Sequence, residues 1–174
     1  MKKLIQLSPV IVLFLLTMSC AAPTRVVSVA RVVEKERIVN KPFDAVWQST
    51  VEWFATHNTP IKNLDKSSGL ISTEYSLSMA EANSYMDCGG STTSAFGAST
   101  SLSNHSGNFN VLLKKIDDTH TKVSINVFFG CSLDTYRYKG LLSTETVLAS
   151  SSRINCTSMG VLEKQVLDYI EAFN

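Results

Sequence analysis

Thr121-Lys122-Val123-Ser124-Ile125-Asn126-Val127-Phe128-Phe129-Gly130-Cys131 decides the fold class. Val123, Ile125, Val127 and Phe129 alternate with Lys122, Ser124 and Asn126, the two-residue period of a strand with one buried face. Asn108–Ile116 just before it has the make-up of a second strand. Asp117-Asp118-Thr119-His120 between them is turn chemistry, so the pair predicts a hairpin. Upstream, Leu70–Leu77 places Ile71, Thr73, Tyr75 and Leu77 on one face, the mark of another strand. A turn at Lys66-Ser67-Ser68-Gly69 separates it from Ile61–Asp65. Val32–Val39, rich in valine, is read as a first strand and Leu141–Cys156 as a long Ser/Thr-rich one.

Two helices flank these strands. Pro42 opens the first, where its missing N–H costs nothing, and Asp44 favours the positive end of the helix dipole. Phe43, Val46, Trp47, Val51 and Phe54 make its apolar stripe to about His57, and Pro60 stops it. The second runs from about Ser158 to Phe173, with Leu162, Val166, Tyr169, Ile170 and Phe173 on its apolar face. From Ser78 to Ser106 the pattern breaks. Nine of the sixteen residues in Ser91–Ser106 are Ser or Thr, and the stretch reads as a long loop. The order predicts an α+β domain over 32–174, a two-layer arrangement in which an N-terminal and a C-terminal helix pack on an antiparallel sheet. The chain has 174 residues, one domain's worth, and a net charge of +1, which leaves no basic footprint for nucleic acid.

The N-terminus is a targeting segment. Lys2 and Lys3 precede the apolar run Val10–Leu16, and small residues lead to Ser19-Cys20. An apolar run ending in a small residue and a cysteine resembles the lipobox of bacterial lipoproteins. Their usual leucine, three residues before the cysteine, is here one step earlier at Leu16. The resemblance implies a signal peptide over 1–19, a diacylglyceryl group on the Cys20 thiol, and a tether through residue 31. With Ala21 after the cysteine it also implies sorting to the outer membrane, facing the periplasm. The lipid bilayer is then one partner, held by acyl chains, of which stable attachment needs more than one.

Lys41-Pro42-Phe43-Asp44-Ala45-Val46-Trp47 and Asp65-Lys66-Ser67-Ser68-Gly69-Leu70-Ile71 resemble the first half of a helix-grip domain. Small envelope lipoproteins carry this domain, including the BamC-like accessory lipoproteins of the outer-membrane β-barrel assembly machinery. Cys156–Glu163 is similar to the start of the last helix in such a lipoprotein group. The resemblance implies a fold and a compartment, and brings no catalytic motif.

Chemistry-bearing motifs are sparse. His57, His105 and His120 have no Cys or His partner at metal-ligand spacing, and each is read as a solvated surface histidine. No G-x-S-x-G elbow occurs, and Gly89-Gly90-Ser91 and Gly97-Ala98-Ser99 lack the lysine and helix start of a phosphate cradle. Asp117-Asp118 is explained as turn chemistry. No cofactor, metal or catalytic residue is expected. Trp47 and Phe54 are placed in the core. Trp53, at the edge of the stripe, and Tyr136 and Tyr138, in a polar connection, are the candidate exposed aromatics for an interface.

Lipidation, as the lipobox resemblance implies, would consume Cys20 and leave Cys88, Cys131 and Cys156, which allow three pairings in an oxidising compartment. Cys131 continues the parity of Val123–Phe129 and so faces the core, which favours Cys88–Cys156; the rival is Cys131–Cys156. The expected function is a non-catalytic, membrane-anchored envelope lipoprotein that binds a protein partner. The alternatives are a small apolar ligand held between sheet and helix, or a hydrolase whose cleft gathers His105 or His120 with an acid and a serine.

Overall fold

The structure is a computed structural model and describes residues 31–90, 98–140 and 143–173. The signal segment 1–19, Cys20, most of the tether to residue 31, and the start of the strand expected from Leu141 lie outside the described residues. The protein is α+β, with seven strands and three helices among the described residues. The strands are β1 (Glu36–Val39), β2 (Ile61–Asp65), β3 (Leu70–Ser76), β4 (Met86–Asp87), β5 (Ala98–Lys115), β6 (Thr121–Tyr138) and β7 (Thr146–Ser158). The helices are α1 (Phe43–Thr56), α2 (Met79–Tyr85) and α3 (Val161–Ala172). All pairings are antiparallel, in the order β2-β3-β5-β6-β7-β4, and β1 pairs with the start of β6.

The expected hairpin is present and longer than its pattern suggested. β5 and β6 each run for 18 residues and pair along nearly their whole length. Near the turn, Phe109, Val111 and Leu113 on β5 and Val123, Ile125 and Phe129 on β6 are buried. Trp53 and Phe54 of α1 meet Phe109 there, with ring centroids 5.9 and 5.2 Å away. Leu162, Val166, Leu167 and Ile170 of α3 complete the same core. Farther from the turn the hairpin becomes a ribbon. β5 from Ala98 to Ser103 pairs with β6 from Ser132 to Arg137, and β7 from Thr146 to Arg153 pairs on the other side.

Four expectations are corrected. β1 begins at Glu36, four residues later than Val32. The loop expected over Ser78–Ser106 contains α2, β4 and, from Ala98, the first part of β5; residues 91–97 lie outside the described residues. Ser78 caps α2: its hydroxyl accepts from the Glu81 N–H, and the Glu81 carboxylate accepts from the Ser78 N–H at 2.8 Å. Trp53, expected at the helix edge, is 2% exposed and belongs to the core, while Trp47 is only partly buried. The buried face of α1 is Val46, Ser49, Thr50, Trp53 and Phe54, a regular i, i+3, i+4, i+7, i+8 stripe. Two of those positions are polar, so apolar residues alone draw the stripe one step off axis. Ser49 and Thr50 tolerate burial because both hydroxyls donate to the Val46 carbonyl, at 2.9 and 2.6 Å.

Gly69 is required at its turn. Its φ is +71°, and a Cβ there would lie 2.1 Å from the Leu113 carbonyl oxygen. Its own carbonyl accepts from the Leu113 N–H at 2.9 Å, so turn and strand are in direct backbone contact.

The two ends of the domain are tied by cations from the N-terminal side. The last turn of α3 has no basic residue. Lys41 supplies the charge: its ammonium donates to the carbonyls of Ile170 (3.2 Å), Glu171 (2.8 Å) and Phe173. Arg37 on β1 pairs with Glu34 and reaches α3 through Asp168 at 3.0 Å and Glu171 at 2.8 Å. Lys41→Met removes the cap and is expected to cost about 1 kcal/mol, read as a lower urea midpoint at unchanged slope. An unchanged midpoint would mean that water replaces the ammonium at no cost.

Candidate functional site

Cysteines from three neighbouring strands meet at one point. β4 pairs with β7 through Met86 with Ser158 and Asp87 with Thr157. Continuing that register by one residue sets Cys88 opposite Cys156, and the two form a disulfide with Cα atoms 4.3 Å apart. This is the pairing that strand parity favours. Cys131 lies on the other flank of β7, on β6, where its own register partner is Ile154. It is fully buried, and its sulfur lies 3.6 Å from that of Cys156. All three sulfurs lie within 4.8 Å of one another.

Beside Cys88 opens a cavity of about 220 Å³. Met86, Asp87, Gly89, Leu102 and His105 are among the residues that line it. His105 comes to this wall through a bulge in β5. Between the Ser103–Ser132 and Ser106–Gly130 pairs, two β5 residues, Asn104 and His105, oppose the single β6 residue Cys131, and Asn104 takes the left-handed conformation with φ 48°. The Leu77 N–H donates to the His105 carbonyl at 3.0 Å, which fixes the bulge against β3.

The second feature is the ribbon surface. Tyr136 stands opposite Leu148, and Tyr138 opposite Thr146. Tyr138 is 51% and Leu148 55% exposed, and Tyr136 is half-buried beside them. One turn of the pleat away, Asp134 is buried at the level of the strands. Ser103 donates to one of its oxygens at 2.6 Å and Ser151 to the other at 2.5 Å. Those hydroxyls, Ser103 first, hold its carboxyl below the ordinary aspartate range. The carboxylate thus links all three strands of the ribbon. Of the candidate interface aromatics, Tyr136 and Tyr138 are brought together here, and Trp53 is removed to the core.

The histidines are dispersed. His57 follows the end of α1, where its ring stacks on Trp53 at 4.6 Å and its Nδ1 contacts the Trp53 carbonyl at 2.8 Å. His105 lies at the bulge within β5, and His120 in the turn that follows β5. His120 does pair with an acid: Asp117 lies 2.9 Å from its Nδ1. The same carboxylate accepts from the Thr119 and His120 N–H groups, each at 2.8 Å, so the pair belongs to the turn. The Thr119 N–H, then the His120 ring, lower the Asp117 carboxyl to about 2 from 3.8. A depressed folded-state pKa adds stability above the ordinary value, and that stability is lost as pH falls from about 4 to about 2. Asp117→Asn keeps an acceptor oxygen in the turn. It is expected to flatten the acid limb of a melting-temperature profile in that window and to leave the neutral range little changed. A full acid limb in the variant would place the titration elsewhere.

The ribbon hydroxyls and the α2 cap were missed from sequence. The cap had a readable signal in Ser78-x-x-Glu81 ahead of Ala82. Glu163 had none: it is fully buried in the first turn of α3, where Ser158 donates to its Oε2 at 2.9 Å and its Oε1 has no hydrogen-bond partner among the described residues. No helix among the described residues is long and apolar enough to cross a membrane. No protein-family model, curated protein or solved structure matches the chain.

Proposed function

We propose that the protein is a non-catalytic envelope lipoprotein that is anchored through acylated Cys20 at the outer membrane and offers the ribbon of β5, β6 and β7 to a protein partner. The observation that carries this is the grouping of Tyr136, Tyr138 and Leu148 on a ribbon surface. Aromatic residues with an apolar body and a polar tip are enriched in protein interfaces, and here an aliphatic neighbour extends the patch. The lipobox-like Ser19-Cys20 supports the anchor. A two-layer, helix-grip type of domain and kinship with the BamC-like lipoproteins belong to the same proposal. They are supported by the burial of α1 and α3 with one face of the sheet. The apolar-ligand alternative is less well supported, because Phe109, Val123, Ile125 and Leu162 already occupy the space between sheet and helices.

Photo-crosslinking in intact envelopes tests the proposal. A benzophenone side chain at position 138 of the full-length chain is expected to give a discrete protein adduct, and one at Lys122, far along β6, is not. Cys20→Ala should release the protein from the membrane fraction or leave it unprocessed. No adduct at 138, or unchanged membrane partition of Cys20→Ala, would overturn the partner or the anchor respectively.

A further inference from the structure

We propose that Cys156 is a branch point between two disulfides, and that exchange onto Cys131 makes Cys88 a modifiable thiol at the wall of the 220 Å³ cavity. Cys156 lies on the middle strand, with a cysteine on each flank. Cys88 holds it in the disulfide, and the Cys131 sulfur already stands 3.6 Å away, in van der Waals contact. Thiol–disulfide exchange needs a thiol, reacting as its thiolate, within reach of a disulfide sulfur, and the Cys131 sulfur stands at that reach from Cys156. The step is balanced within the protein. The Cys131 thiolate attacks Sγ of Cys156, and the Cys131–Cys156 bond forms as the Cys88–Cys156 bond breaks. The electron pair leaves on Sγ of Cys88, which takes up the proton that Cys131 gave. No oxidant or reductant is consumed.

The two isomers differ in what solvent can reach. In the structure as it stands the thiol is on Cys131, which is fully buried. After exchange the thiol is on Cys88, which lines an open cavity. Backbone pairing holds β4 in either state, through Met86 with Ser158, Asp87 with Thr157 and a 2.8 Å hydrogen bond from the Met159 N–H to the Tyr85 carbonyl. The ligand class is therefore a soft electrophile or a small disulfide that fits beside Met86, Leu102 and His105. A small disulfide would be attacked by the Cys88 thiolate, with one half retained as a mixed disulfide and the other released as a thiol.

Native-state alkylation of the oxidised full-length chain with N-ethylmaleimide, followed by non-reducing peptide mapping, tests this; the map separates any label on Cys20. The label is expected on Cys88, together with a Cys131–Cys156 linked peptide, and Cys131→Ser should abolish labelling at Cys88. Label on Cys131 with Cys88–Cys156 intact would overturn the proposal, as would a thiol that reacts only after denaturation. Cys88→Ser provides an arm that needs no labelling kinetics. It is expected to form the Cys131–Cys156 disulfide in air, and two alkylatable thiols among Cys131 and Cys156 in the folded variant would also refute the branch point.

Discussion

Phe109→Ala is expected to lower the unfolding free energy by about 3–5 kcal/mol, the range for emptying an aromatic site in a packed core. Phe109 is fully buried in the middle strand of the covered part of the sheet. Its ring stacks on Phe54 at 5.2 Å and meets Trp53 edge-on at 5.9 Å, so truncation strips contacts from both α1 aromatics. Aromatic pairs contribute beyond their buried area, by about 0.5–1.5 kcal/mol each. Rigid strands on both sides, β3 and β6, restrict collapse into the void. Phe109→Leu, which retains most of the volume, should lose clearly less. Urea unfolding monitored by Trp53 and Trp47 fluorescence measures both. A loss below about 1.5 kcal/mol for the alanine variant would show that α1 can settle onto the sheet and fill the space.

Cys156→Ser is expected to cost about 2–4 kcal/mol, because it removes every disulfide that the cluster can form. Cys88–Cys156 spans a separation of 68 residues. The chain-entropy treatment gives about 4 kcal/mol for a loop of that length as an upper figure. Cys88→Ser should behave differently: Cys131–Cys156 spans 25 residues, and the same treatment gives about 3.5 kcal/mol. Oxidised Cys88→Ser should therefore remain within about 1 kcal/mol of the parent, and Cys156→Ser should not. Adding dithiothreitol should bring parent and Cys88→Ser down to the level of Cys156→Ser. Equal losses in the two oxidised variants would mean that Cys131 does not pair when Cys88 is gone.

How much was legible depended on whether a helix covers the strand. Val123–Phe129 and Ile71–Leu77 lie under α1 and α3, and burial of one face imposed the alternation that identifies them. Ala98–Ser103 is equally a strand, paired residue for residue with Ser132–Arg137, but no helix covers it. With no core to fill, its positions are free to be serine and threonine, and the pattern reads as loop. Here cross-strand backbone pairing and hydroxyl-to-Asp134 bonds stand in for apolar burial, and neither leaves a periodic trace. The misplacement of Trp53 has a related origin. Ser49 and Thr50 are core positions filled by hydroxyl residues, and a stripe traced through apolar residues alone tilts toward Trp47. Cys88–Cys156 was readable because parity is a geometric rule: it sent Cys131 to the core face and left the other two to pair. Parity could not place Cys131 in contact with Cys156, since that depends on the β6–β7 register, which no local pattern encodes.

The ribbon also governs how copies of the protein behave toward one another. Among the described residues, β7 is paired on its outer side only at Thr157 and Ser158, so Thr146–Asn155 presents a row of backbone donors and acceptors to solvent. Such a row is where a strand of a neighbouring molecule would add and sheet growth between molecules would start. The sequence places its restraints there: Arg153 as an edge charge, a run of three serines at 150–152 that offers no apolar strip for stacking, and a bulge at Ala149 of β7, between the Thr135–Ser150 and Tyr136–Leu148 pairs, that breaks the flat register. The serine content of β7 is thus what keeps a long exposed edge from becoming a template for fibres.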